Sequence, residues 1–192
     1  MKSLPLVLRY LPHPRWLTKL VTNLFMKNAM STQNQNLTPR PSPLAVGDVA
    51  PDFTLMDQDR KEWKLSDAVK KGDVVLAFYP LSFTGVCSTE MACISKDFAT
   101  WSAKGSQVVG ISCDSFAVQK AYAEKEGYKH RLLADMHRQV CKAYGLYWPE
   151  LNVAQRGTVV IGKSADGKGK VKFVEAREPS KAMNWNNVLE MV

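Results

Sequence analysis

An α/β sandwich, with a central mixed β-sheet flanked by helices, is predicted for this 192-residue chain by three observations. Short, continuous apolar runs bounded by glycine or proline read as buried strands. Stretches with the three-to-four-residue period of a helix alternate with them. Near the C-terminus the alternation gives way to two strand-like runs around one turn, followed by a last helix.

The elements follow in order. Residues 53–56 and 62–65, joined by Asp57-Gln58-Asp59-Arg60, form an expected N-terminal β-hairpin. Ser66 is the expected N-cap of a short helix reaching Lys71. Residues 74–79, bounded by Gly72 and Pro80, make a buried strand, and a helix is expected from Ser88 to about Lys104. A second buried strand spans 107–112, and a helix over 116–126 ends at Gly127. A third strand at 131–134 precedes a helix over 137–144 closed by Gly145. Strands at 158–161 and 171–176 pair around Ser164-Ala165-Asp166-Gly167, and residues 184–191 give the last helix.

The formal charge of +8 is unevenly spread. Lys2, Arg9, Arg15, Lys19, Lys27 and Arg40 face no acid within residues 1–40, which leaves +2 for the remainder. A nearly neutral body gives no argument for nucleic-acid binding. In this leader Trp16, Leu17, Leu20, Val21, Leu24 and Phe25 fall on one helical face. Three readings stay open: translation starting at Met26 or Met30, an organelle transit peptide, or a membrane-surface helix. No uncharged run approaches the roughly 20 residues needed to span a bilayer. Residues 31–43, with Pro39, Pro41 and Pro43, read as a flexible linker, so the expected organisation is a leader and linker over 1–43 and one domain over 44–192. Cys87, Cys93, Cys113 and Cys141 are unevenly spaced and contain no Cys-x-x-Cys. A reducing compartment, the cytoplasm, is the expected home, with a mitochondrion or other organelle the alternative if the leader is a targeting signal.

The most informative stretch is Pro80-Leu81-Ser82-Phe83-Thr84-Gly85-Val86-Cys87-Ser88-Thr89-Glu90. It sets Cys87 in the first turn after a strand-loop-helix crossing, where free backbone N–H groups and the helix dipole favour an anion. A thiol so placed is expected to be partly ionised and reactive. Lowering an ordinary thiol by about 2.5 units requires about 3.4 kcal/mol of preference for the anion, whereas a helix terminus supplies about 0.3–2 kcal/mol. A cation and direct hydrogen bonds must supply the rest.

The pattern Pro-x-x-x-Thr-x-x-Cys resembles the active-site loop of the peroxiredoxins, which reduce hydroperoxides through a cysteine thiolate. The resemblance runs from about Leu44 onward, through Gly47-Asp48-Val49-Ala50-Pro51-Asp52-Phe53 and Arg156-Gly157-Thr158-Val159-Val160-Ile161. It is nearest the bacterioferritin-comigratory-protein branch. It implies a thioredoxin-like fold and a thiol-dependent peroxidase acting on hydrogen peroxide and organic hydroperoxides in antioxidant defence. Cys87 would attack and become a sulfenic acid; Thr84 would bind thiolate or substrate; Pro80 would limit water; Arg156 would supply the cation. Glu90 would hold Arg156 in place. No cofactor or metal is required. The implied partners are a hydroperoxide and a thioredoxin-like protein or small thiol as reductant, with the enzyme a monomer or homodimer and Trp148-Pro149 a candidate dimer face.

Each assignment has a plainer rival: Cys87 a buried hydrophobe, Thr84 an N-cap, Pro80 a strand terminator, Glu90 an exposed complement to the helix dipole, Arg156 a surface charge. No cysteine follows Cys141, so the C-terminal resolving cysteine of the typical two-cysteine branch is not expected. Cys93 is the candidate resolving cysteine, although the bacterioferritin-comigratory pattern spaces the pair by five residues rather than six. Without it, an external thiol must reduce the sulfenic acid. The rival functions are a thioredoxin-like disulfide reductase, which wants Cys-x-x-Cys; a metal or haem protein, for which the cysteines and histidines lack zinc spacing; and a chaperone or redox-signalling module without peroxide turnover.

Overall fold

The computed structural model describes residues 34–192, so the leader's apolar face and the starts at Met26 and Met30 lie outside the described residues. The described chain opens with a hairpin, β1 (Thr54–Asp57) and β2 (Glu62–Lys64), then α1 (Leu65–Val69) and β3 (Val74–Phe78). Next come α2 (Gly85–Lys96), α3 (Phe98–Ala103), β4 (Gln107–Ser112), α4 (Phe116–Glu126), β5 (Arg131–Ala134) and α5 (Gln139–Ala143). Two short strands, β6 (Tyr147–Trp148) and β7 (Val153–Ala154), precede β8 (Gly157–Ile161), β9 (Val171–Ala176) and α6 (Trp185–Glu190). No helix among the described residues is long and apolar enough to cross a membrane.

Seven strands form one sheet in the order β2-β1-β5-β4-β3-β8-β9. β3, β4 and β5 run parallel, while β1 and β8 join them antiparallel, so the sheet is mixed. β3 is buried along its whole length because both faces are covered. Val74, Leu76 and Phe78 enter one apolar layer with α1 and α5. Val75, Ala77 and Tyr79 enter the other, with α2, α3, α4 and α6.

The expected element order holds, with local differences that have physical causes. Ser66 caps nothing: α1 starts at Leu65, and the Ser66 amide donates to Asp52 Oδ1 at 2.8 Å. The long helix expected from Ser88 begins earlier, at Gly85, and is broken at Asp97 (φ −93°, ψ 14°) into α2 and α3. α5 is shorter than its periodicity suggests because Arg138, with φ 58°, starts it from a left-handed turn. The β6/β7 pair was not legible in the sequence, since two residues per strand leave no periodicity.

Residues 36–43 also differ from a free linker. The compact unit begins at Asn36, Leu37 packs against the core, and the Arg40 amide donates to the Lys142 carbonyl at 2.9 Å. Gly145 permits this passage: it has φ 65°, and a Cβ there would lie 1.9 Å from the Ser42 carbonyl oxygen. Pro-rich, polar composition suggests a spacer, but these contacts are made with residues a hundred positions away.

Candidate active site

The sheet delivers the site through β3. Beyond its end the Tyr79 amide still donates to the Ile111 carbonyl at 3.0 Å, and Pro80, buried and without an N–H, stops the ladder. The turn that follows is fixed from β4: Asp114 Oδ2 accepts the Ser82 amide and the Ser112 hydroxyl, both at 2.9 Å. Phe83 takes the left-handed conformation (φ 63°), a cost of about 1–3 kcal/mol for a non-glycine residue. Its ring packs on Tyr122 at 4.8 Å between centroids, which helps hold that conformation.

Thr84 is the extended N-cap of α2, and Cys87 is the helix's third residue. Ser88 donates the helix's first amide bond, to the Thr84 carbonyl at 2.8 Å. The amides of residues 85–87 precede it and have no intrahelical acceptor, so they present positive potential around the sulfur.

Cys87 is almost wholly buried, and its Sγ accepts a hydrogen bond from Arg156 Nη2 at 3.2 Å. Arg156, directly before β8, is pinned by its other nitrogens: Nε donates to the Pro179 carbonyl at 3.0 Å and Nη1 to Glu90 Oε2. Glu90 is buried too, and its Oε1 accepts Arg177 Nη2 at 3.0 Å and the Met183 amide at 2.7 Å. Arg177 Nη1 donates in turn to Thr158 Oγ1 at 3.1 Å. The β8/β9 register, with Gly157 opposite Ala176, sets the two arginines side by side, and the Arg177 amide bonds the Arg156 carbonyl at 2.9 Å.

The two buried guanidiniums share one buried carboxylate, Glu90, and Arg177 Nη1 also lies 3.7 Å from the partly exposed Glu175, which leaves Arg156 as the cation that faces Cys87. This supplies the cation and direct hydrogen bond that the helix terminus alone lacks.

Of the residues singled out in the sequence, Cys87, Glu90 and Arg156 converge, and the exposed reading of Glu90 and the surface reading of Arg156 are overturned by their burial. Thr84 lies at the exposed rim, its hydroxyl donating to the Leu81 carbonyl at 2.8 Å. That donor is spent, so Thr84 Oγ1 meets further groups as an acceptor only. Cys93 is exposed on α2, six residues along a continuous helix from Cys87. Cys113 and Cys141 belong to the opposite apolar layer.

Sequence reasoning missed Arg177, Thr158 and Asp114 as members of the site's framework. One signal was available for Arg177: pairing 158–161 with 171–176 places it across from Arg156. Tyr122 was also missed; its hydroxyl shares a 2.9 Å hydrogen bond with Ser88 Oγ, and burial pushes the phenol's pKa above its usual value.

Comparison with known proteins agrees with this geometry. The family model described as the AhpC/TSA family matches residues 46–173. Alkyl hydroperoxide reductase E of Mycobacterium tuberculosis is 32% identical over 151 residues, covering 76% of this chain and 96% of that protein. The chloroplastic 2-Cys peroxiredoxin BAS1 of Hordeum vulgare is 34% identical over 128 residues, 62% of this chain and 61% of that one. Among solved structures, peroxidoxin BcpB from Mycobacterium tuberculosis superposes with a TM-score of 0.69 at 28% identity, covering 77% of this chain and 96% of that one. The reduced 2-Cys peroxiredoxin of Plasmodium vivax gives 0.67 at 27%, covering 77% and 79%. The expected fold class, a thioredoxin-like α/β fold, is thereby established.

Proposed function

This chain belongs to the AhpC/TSA family, and from that premise we propose that Cys87 is the sulfur that attacks peroxide. The protein is a thiol-dependent peroxidase of antioxidant defence, using a hydroperoxide and a thiol reductant. The observation that carries the residue assignment is the 3.2 Å bond from Arg156 Nη2 to Cys87 Sγ inside a buried cluster with Glu90 and Arg177.

The thiolate attacks one peroxide oxygen, the O–O bond breaks, and Cys87 becomes a sulfenic acid while water or an alcohol leaves. Arg156 is placed to share its donors between sulfur and the reacting oxygens, which its planar fork allows. Thr84 Oγ1, already donating to Leu81, accepts the O–H of the incoming hydroperoxide and orients it in line. Pro80 fills space beside the site and keeps water down. Since Cys87 is 1% exposed, substrate enters by displacing the exposed rim formed by Leu81, Phe83 and Thr84.

For reduction of the sulfenic acid we favour an external thiol, from a thioredoxin-like protein or a small molecule. Six helical steps set Cys93 about 240° around and about 9 Å along from Cys87. A disulfide needs Cα atoms within about 7 Å, so Cys93 acts only if the first turns of α2 unwind. The same reading places the enzyme in the cytoplasm as a monomer or homodimer, or in an organelle if the basic leader is a targeting signal.

Peroxide consumption by a Cys87→Ser variant, in a coupled assay, is the test. Turnover is expected to vanish, and undiminished turnover overturns the assignment. In the intact-mass spectrum after one equivalent of peroxide, a gained oxygen on Cys87 marks external reduction. Loss of a pair of hydrogens that vanishes in Cys93→Ser would assign the resolving role to Cys93.

A further inference from the structure

We propose that Cys113 and Cys141 form a reversible disulfide, a second redox site on the far side of the sheet from Cys87. Their sulfurs, 28 residues apart in sequence, lie 3.9 Å from each other. Closing them to a bond of about 2.05 Å requires an approach of about 1.9 Å. Cys113, just beyond β4, is half-buried and the less enclosed of the two. Cys141 is wholly buried on α5 and fixed, its amide donating to Asp135 Oδ2 at 2.8 Å.

Asp135 completes the site. One of its carboxylate oxygens lies within 4.8 Å of both sulfurs. The Cys141 thiol is pushed far up, by its contact with Cys113 first and then by burial, so it does not ionise unaided. Burial also raises the Asp135 carboxyl, which makes it a stronger base than an exposed aspartate.

The chemistry balances with a hydroperoxide, the oxidant this enzyme already handles. Cys113 sulfur attacks a peroxide oxygen, the O–O bond breaks, and the products are a sulfenic acid and an alcohol or water. Cys141 sulfur then attacks the sulfenic sulfur while Asp135 takes its proton. The S–O bond breaks and the hydroxyl leaves with that proton as water. Two thiols have been oxidised and one peroxide reduced. The product is neutral and apolar, as the layer around Cys141 demands. A divalent metal suits the place less well, because two thiolates and Asp135 would leave a net negative charge in the core.

A consequence for the catalytic loop rests on the Cys87 reading. Cys113 is covalently next to Asp114, which holds the Ser82 amide at 2.9 Å. Drawing Cys113 toward α5 pulls that carboxylate and loosens the turn leading to Cys87.

The experiment uses the full chain carrying Cys87→Ser and Cys93→Ser, which leaves Cys113 and Cys141 as its two thiols. A few equivalents of hydrogen peroxide should remove two hydrogens from the intact mass and block alkylation, with dithiothreitol restoring both. Peptide mapping should show Cys113 linked to Cys141. Hydrogen exchange at the Ser82 amide should rise several-fold on oxidation. Two persisting thiols, an oxygen added to Cys113 without linkage, or stoichiometric zinc held by the pair would overturn the disulfide; unchanged Ser82 exchange would overturn its link to the loop. If the double variant does not fold, the peptide map of wild-type protein decides the linkage. A failure here leaves the Cys87 assay untouched, so the two readings are separable.

Discussion

At Glu90 one buried carboxylate accepts hydrogen bonds from Arg156, Arg177 and the Met183 amide, and so ties three chain segments to the helix that carries Cys87. Glu90→Gln keeps the shape but removes the negative charge, taking from Arg156 and Arg177 the one buried carboxylate they share. Breaking a buried pair from one side costs about 3–5 kcal/mol, which urea denaturation should record as a lower midpoint. Peroxide turnover should fall at least about tenfold, the rate equivalent of about 1.4 kcal/mol lost from the transition state. A variant as stable and active as wild type would remove Glu90 as the anchor of Arg156 and Arg177.

The element that matters most is α2, because its seat on the sheet decides where Cys87 points. That seat depends on Gly110 in β4, where a Cβ would come within 2.7 Å of Leu132 Cδ2 and 2.9 Å of Met91 Sδ. Met91 is one turn beyond Cys87 on the same helix, so pressure on it is pressure on the site. Gly110→Ala should therefore cost about 1–3 kcal/mol of overpacking, read in guanidinium unfolding, and should lower turnover as well. If stability fell while turnover held, the helix would be absorbing the added methyl without moving Cys87. α2 and α3 also show why their boundary was illegible: apolar residues continue across Asp97, where the backbone leaves helical geometry.

For the whole molecule, the compact unit from Asn36 onward should work without what precedes it. Deleting residues 1–35 is expected to leave turnover and thermal midpoint unchanged. Deleting 1–43 also removes the packing of Leu37, the Arg40 bond to Lys142 and the exposed Arg40–Asp48 ion pair at 3.3 Å. The ion pair is worth little, so most of the loss comes from the apolar contact and the backbone bond. A fall of about 2–6 °C in Tm, measured by calorimetry, is expected. Equal midpoints for the two truncations would make residues 36–43 the spacer that their composition suggests.

The sequence by itself determined the succession of the main strands and helices along the chain and the position of Cys87 in a helix's first turn. Both follow from short-range causes: side-chain period, glycine and proline stops, and the free amides of a helix start. It also proposed Arg156 as the cation beside Cys87, through the family resemblance, and Glu90, one helical turn after Cys87, as the residue that holds Arg156. Only the tertiary structure decided that Arg177 shares Glu90, that Asp114 anchors the loop, that α2 starts at Gly85 and that residues 36–43 lie against the body. Those facts depend on strand register and on contacts between residues far apart in the chain, which no local pattern encodes. The charge of the sulfur's surroundings belongs with them, because burying two arginines around one carboxylate is a property of the packed interior.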